Sequence, residues 1–204
     1  MMNIEQIQKK LVKARNSIDN FGELPYTERV SLLISLGGKK GESNEEGYLV
    51  RSNVALTCAK KTLYFWDKAS PDSGFLTALE FAEKCLINPD MYAELGNVMN
   101  NMIPQVENIM YANEKDHRPA YAGFSCVSAL STVLYDDQFD LEAKSELDIE
   151  PDQWDSAFYS SLAIAGGAVW ENDIVLDNKA RREFWEWYLD IAIPNAIREY
   201  SGNL

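Results

Sequence analysis

The chain is 204 residues long, 46% apolar and 25% charged, a composition that excludes a disordered or collagen-like chain and points to a globular fold. Nineteen Lys and Arg against thirty-two Asp and Glu give a net charge of −13, a field that disfavours nucleic-acid phosphates and favours a basic protein partner. The charge is uneven: residues 1–61 hold ten basic and seven acidic side chains, and residues 62–204 hold nine and twenty-five.

In chain order, Ile4, Ile7, Leu11, Ala14 and Ile18 keep the spacing of an amphipathic helix, with Lys9, Lys10, Lys13 and Arg15 on the other side. Thr27 is placed to cap a short helix through Leu36, which Gly37 and Gly38 stop, and KKGESNEEG then forms a loop. The stripe Leu49, Leu56, Ala59, Leu63 and Trp66 predicts a long helix from Gly47 to about Lys68, ended by the SPDSG turn at 70–74. Phe75, Ala78, Leu79, Ala82 and Leu86 mark a fourth helix stopping at Asn88-Pro89. A fifth is expected to be capped by Asp90 and kinked at Pro104.

The segment after Pro119 carries Ala120, Ala122, Gly123, Ser125 and Ala129, small residues that let a neighbouring helix approach closely, and predicts a central helix. Glu150-Pro151-Asp152 is expected to open a seventh helix through Trp154, Phe158, Leu162 and Ala165, broken at Gly166-Gly167, and the last helix is expected to start near Asp177. In that last helix Phe184, Tyr188, Ile191 and Ala192 fall on one side, flanked by Trp185 and Trp187, with Glu183, Glu186 and Asp190 opposite. Trp187 is the aromatic expected to stay partly exposed, and Pro194 should end or bend the helix. No segment alternates as a strand does, so the expectation is an all-α fold, a single-domain bundle of about eight helices spanning residues 1–204.

Cys58, Cys85 and Cys126 are odd in number and embedded in apolar-periodic segments, which predicts free buried thiols in a reducing compartment. The N-terminus lacks an apolar signal core. The uncharged run Pro119–Tyr135 falls short of the roughly 20 apolar residues a membrane span needs. A cytoplasmic protein with no membrane contact is expected.

The chemistry available is limited. With His117 the one histidine, a multi-His zinc site is impossible, and triad catalysis would hang on that residue, which sits in EKDHRP at an expected interhelical turn. The glycine pairs in GGKKG and AGGA follow predicted helices and read as C-caps rather than phosphate cradles. No catalytic set, cofactor or metal site is expected. The densest charge is DDQFDLEAKSELDIEPDQWD, residues 136–155, whose nine acids against Lys144 give a local net charge of −8. It lacks the glycine and final glutamate register of a calcium loop. Its functional reading is a negative surface that steers and docks a basic partner through Asp136, Asp137, Asp140, Glu142, Glu146, Asp148 and Glu150. The bland alternative is a solvated loop.

Three blocks carry a resemblance: NVALTCAKKTLYFWDKASPDSGFLTALEFAEKCL (53–86), AYAGFSCVSALSTVLYDD (120–137) and AGGAVWENDIVLDNKARREFWEWYLDIAIPNAI (165–197). Together they resemble the all-α "immunity protein five" type family of bacterial polymorphic-toxin systems, over roughly residues 50–200. The last block is the most specific, through Trp170, Glu171, Arg182, Glu183, Phe184, Trp185 and Trp187, which are read as structural. Where family members have arginines after the Pro-Asp turn, this chain has Ser73-Gly74-Phe75. The resemblance implies a non-enzymatic protein that binds and neutralises a cognate toxin. The alternatives are a helical scaffold or adaptor with no toxin partner, and a carboxylate- or metal-dependent enzyme, which would require a deep pocket lined by two or more acids.

Overall fold

The computed structural model describes residues 3–71, 74–112, 116–137, 139–171 and 175–200. Among these the regular elements are helical: α1 (Ile4–Ser17), α2 (Tyr26–Ser35), α3 (Glu46–Ala69), α4 (Phe75–Ile87), α5 (Tyr92–Ala112), α6 (Arg118–Tyr135), α7 (Ser156–Ala165), α8 (Asn178–Trp187) and α9 (Ile193–Tyr200). A π-helical turn, Tyr188–Ala192, joins α8 to α9 so that they run on as one rod, the eighth among the described residues.

The centre is α3 lying along α6, with α7 packed on both, α4 and α5 flanking α6, and the α8–α9 rod closing over α3 and α7. Burial explains the arrangement. Helix α3 buries residues around most of its circumference, from Tyr48 and Val54 to Leu63 and Trp66, as a core helix must. The small residues of α6 do what their size allows: a Cβ on Gly123 would lie 2.8 Å from the Trp66 ring and 2.7 Å from Val106 Cγ2. Gly47 plays the same part at the start of α3, where a Cβ would fall 1.6 Å from the Gly37 carbonyl oxygen. Cys58, Cys85 and Cys126 are free and buried in this core.

Several boundaries differ from expectation. Helix α2 begins one residue before Thr27, behind Pro25. Asp90 lies within a 3-10 turn, Pro89–Met91, and makes no side-chain cap. Residues 72 and 73 of the SPDSG turn lie outside the described residues. Pro151 opens only a 3-10 turn, Pro151–Gln153; Trp154 then turns extended, and α7 starts at Ser156 where the Asp155 carboxylate accepts the Phe158 N–H at 2.8 Å.

The final rod is the most instructive departure. Pro194 has no N–H to donate, so an unbroken α-ladder through it would leave a carbonyl unpaired and bring the ring against the preceding turn. The chain absorbs this with the π turn, in which the Ile193 N–H reaches back five residues to the Tyr188 carbonyl. The helix neither ends nor breaks. The wider turn changes the angular register after Tyr188, so Ile191, expected on the core side, is exposed, whereas Leu189, Ala192 and Ile193 are buried.

Candidate partner-binding surface

Residues 136–137 and 139–155 form a strap between α6 and α7, held by a set of buried arginines. Helix α6 ends at Asp136, whose φ of 63° is a left-handed value that non-glycine residues rarely adopt. Two arms of Arg51 hold its carboxylate, Nε to Oδ1 at 2.8 Å and Nη2 to Oδ2 at 2.7 Å. The same guanidinium donates to the Gly37 and Gly38 carbonyls at 2.9 Å, tying the α2–α3 loop to the end of α6. Lys40 completes this corner: its ammonium donates to the Val133 carbonyl at 2.8 Å and sits 3.5 Å from the Tyr92 ring centroid, capping the last carbonyls of α6.

At the far end of the strap, Arg29 is fully buried and bridges two acids, Glu146 at 2.8 Å and Asp155 at 2.7 Å. Its guanidinium lies over the rings of Phe158 and Trp185, each centroid 5.4 Å away. Burial alone would lower the pKa of Arg29, but the Asp155 and Glu146 carboxylates outweigh it and the net shift is upward, so the charge is retained. Between these two anchors the Tyr26 hydroxyl donates to the Asp140 carbonyl, the Trp154 indole N–H to the Glu146 carbonyl, and the Tyr159 hydroxyl to the Pro151 carbonyl at 2.6 Å. Asp148 closes a turn by accepting the Lys144 and Ser145 N–H groups, and these bonds hold its carboxyl below the usual range.

The acids thus divide into two sets. Asp136 and Glu146 point inward as counter-ions, Asp155 caps α7, and Asp137 is half-buried, accepting the Thr132 hydroxyl at 2.7 Å; burial pushes its pKa up to about 7. Asp140, Glu142, Asp148 and Glu150 face outward, with Asp152 beside them. Among them stand exposed apolar side chains, Tyr135, Leu141 and Leu147, at 60%, 70% and 65% exposure. The outward face therefore combines negative charge with apolar knobs, on backbone fixed from beneath.

The residues of the closing block occupy structural positions. Phe184 and Trp185 are buried, and Trp187 is half-buried with the Lys61 ammonium 4.2 Å from its ring centroid. Arg182 donates to the Asp19 carbonyl, and exposed Glu183 lies 3.6 Å from Lys179. Trp170 stacks on Phe158 at 6.0 Å, and Glu171 accepts the Tyr121 hydroxyl at 3.0 Å and the Ala168 N–H at 3.1 Å. His117 is half-buried at the start of α6, edge-on to Tyr121, while Glu114 lies outside the described residues.

The family model for immunity protein Imm5 matches residues 6–195. The chain belongs to the Imm5 family. The match takes in α1 and α2, so the family's span begins well before residue 50, where the resemblance in the sequence began. A search of the curated proteins finds no match. In this Imm5 chain no described helix is long and apolar enough to cross a membrane.

Sequence reasoning missed Arg29, Arg51 and Arg181, the last fully buried beside Glu23, 3.5 Å from its carboxylate. A signal was present. Arg29 stands at i+3 from buried Tyr26, and Arg51 stands at i+3 from Tyr48 and i−3 from Val54, so both sit on the buried stripe of their helices. A cation on an apolar stripe requires a buried anion, and the acidic segment supplies it.

Proposed function

We infer that this protein is the cytoplasmic neutralising partner of a toxin domain in a bacterial polymorphic-toxin system. It acts without catalysis, as a single domain over residues 1–204, by covering a basic surface of the toxin. Family membership supports the toxin partner. The observation that carries the binding surface is the anchored strap, which presents Asp140, Glu142, Asp148 and Glu150 outward around Leu141 and Leu147. Charge so placed accelerates encounter with a basic partner, and the exposed apolar side chains give it contacts to bury once docked. The net charge of −13 disfavours nucleic acid as the target.

The test is to mix the purified protein with the toxin domain encoded beside it and to co-express the two. Binding together with rescue of growth is expected, and absence of both would remove the reading. Reversing Asp140, Glu142 and Asp148 to Lys should slow association by about tenfold or more at low salt and flatten its salt dependence. Unchanged association kinetics at low ionic strength would count against the strap as the contact surface.

A further inference from the structure

A second surface adjoins the strap at Asp152 and Trp154. Helices α5 and α6 lie side by side, and together with the 151–159 segment they line an open groove of about 680 Å³. Its apolar lining is Met99, Ile103 and Met110 from α5, Phe124 and Val127 from α6, and Trp154. All six are only partly buried. Tyr111, 81% exposed, stands at its edge. The spacing is that of two helical faces left without a third helix to cover them.

The charged groups that line this groove carry one sign. Glu107, Asp152 and Glu171 line it, and no described Lys or Arg does. None of the three forms an ion pair with a described Lys or Arg, and Glu171 is fixed in place by the Tyr121 hydroxyl and the Ala168 N–H. Carboxylates bordering an apolar trough that no described Lys or Arg lines match a ligand that is apolar along its length and positively charged at its edges. Two methionines in the wall give the groove side chains that repack around an incoming surface. Asp152 and Trp154 belong both to the strap and to the groove, so one partner can engage both.

We propose that this groove is the second docking site for the toxin domain, receiving an amphipathic segment of it that carries apolar anchors flanked by Lys or Arg. The proposal rests on the toxin-binding reading and adds a division of labour: the strap steers the encounter, and the groove sets the lifetime of the complex.

The experiment compares three proteins against the purified toxin domain by surface plasmon resonance, with hydrogen exchange on the wild-type complex. Val127→Lys, placed on the groove wall, should raise Kd by about 30-fold, mainly through faster dissociation. Glu107→Lys, exposed on the rim and unable to unfold the core, should weaken binding by about tenfold. Exchange protection should appear over residues 99–111 and 121–131. A wild-type protein that binds, with both variants at wild-type Kd and no protection there, would overturn the groove while leaving the toxin reading intact. A wild-type protein that fails to bind the toxin would overturn that reading first. Should Val127→Lys unfold, the Glu107→Lys result and the exchange map decide alone. A wild-type dimer in sedimentation that both variants dissociate, with toxin affinity unchanged, would assign the groove to a second copy and overturn the proposal.

Discussion

Replacing Arg29 by Met tests whether the strap is held by buried charge. The methionine fills most of the side-chain volume but leaves Glu146 and Asp155, at 2.8 and 2.7 Å from the lost guanidinium, facing a site with no cation. Removing one member of a buried ion pair costs about 3–5 kcal/mol, because the remaining charge is left desolvated and unpaired. Here two carboxylates are stranded and the stacking over Phe158 and Trp185 is lost as well. A loss of about 4 kcal/mol or more is expected, a large share of the 5–15 kcal/mol typical of a folded domain. Urea denaturation at pH 7 followed by circular dichroism measures it, as a fall in midpoint at constant slope. The triple variant Arg29→Met, Glu146→Gln, Asp155→Asn should recover at least half of the deficit, since no stranded charge remains and Asn still caps α7. A loss below about 1 kcal/mol in the single variant would refute the reasoning. Failure of the triple variant to recover would assign the cost to packing instead.

Asp137→Asn should give a pH-dependent gain. With its folded pKa raised to about 7 by burial, the carboxyl keeps a proton in the folded state that the unfolded chain has released, so stability falls as pH rises from about 4 to 7. The Asn variant should therefore match wild type at pH 4 and exceed it at pH 8 in thermal melts; a gain of equal size at both would exclude titration as the cause. Phe184→Ala, at a ring only 2% exposed, should cost about 3–5 kcal/mol in the same denaturation assay, and a loss under about 1 kcal/mol would mean the ring is not a core anchor. Gly123→Ala sets a helix-propensity gain of about 1 kcal/mol against the overpacking of a methyl 2.8 Å from the Trp66 ring, which costs about 1–3 kcal/mol. Net destabilisation is expected, and a raised melting temperature would show that Trp66 yields.

The helices were legible because each carries its own local signal. The i, i+3, i+4 stripe of α1, the Asn88-Pro89 stop of α4 and the Asp177 cap of α8 are all written within one turn of where they act. What failed to read was a local break in the regular helical ladder and anything decided by a residue far away in sequence. Ile191 follows the expected helical face only if the ladder is regular, and Pro194, three positions on, changes the ladder. Asp136 and Glu146 look the same in the sequence as Asp140 and Glu142. Their inward direction depends on Arg51 and Arg29, which lie 85 and 117 residues away.

That division also decides what the acidic segment can do. A free loop of like charges would lose much of its conformational entropy on docking, at a cost that subtracts directly from affinity. The described residues of this strap have little of that freedom left to lose, since Arg51 fixes one end, Arg29 the other, and Tyr26, Trp154 and Tyr159 hold the carbonyls between. On the proposed docking role, the inward acids contribute without touching a partner. They fix the outward ones in place, and if that surface is the one that docks, loss of Arg29 should weaken partner binding even in molecules that remain folded.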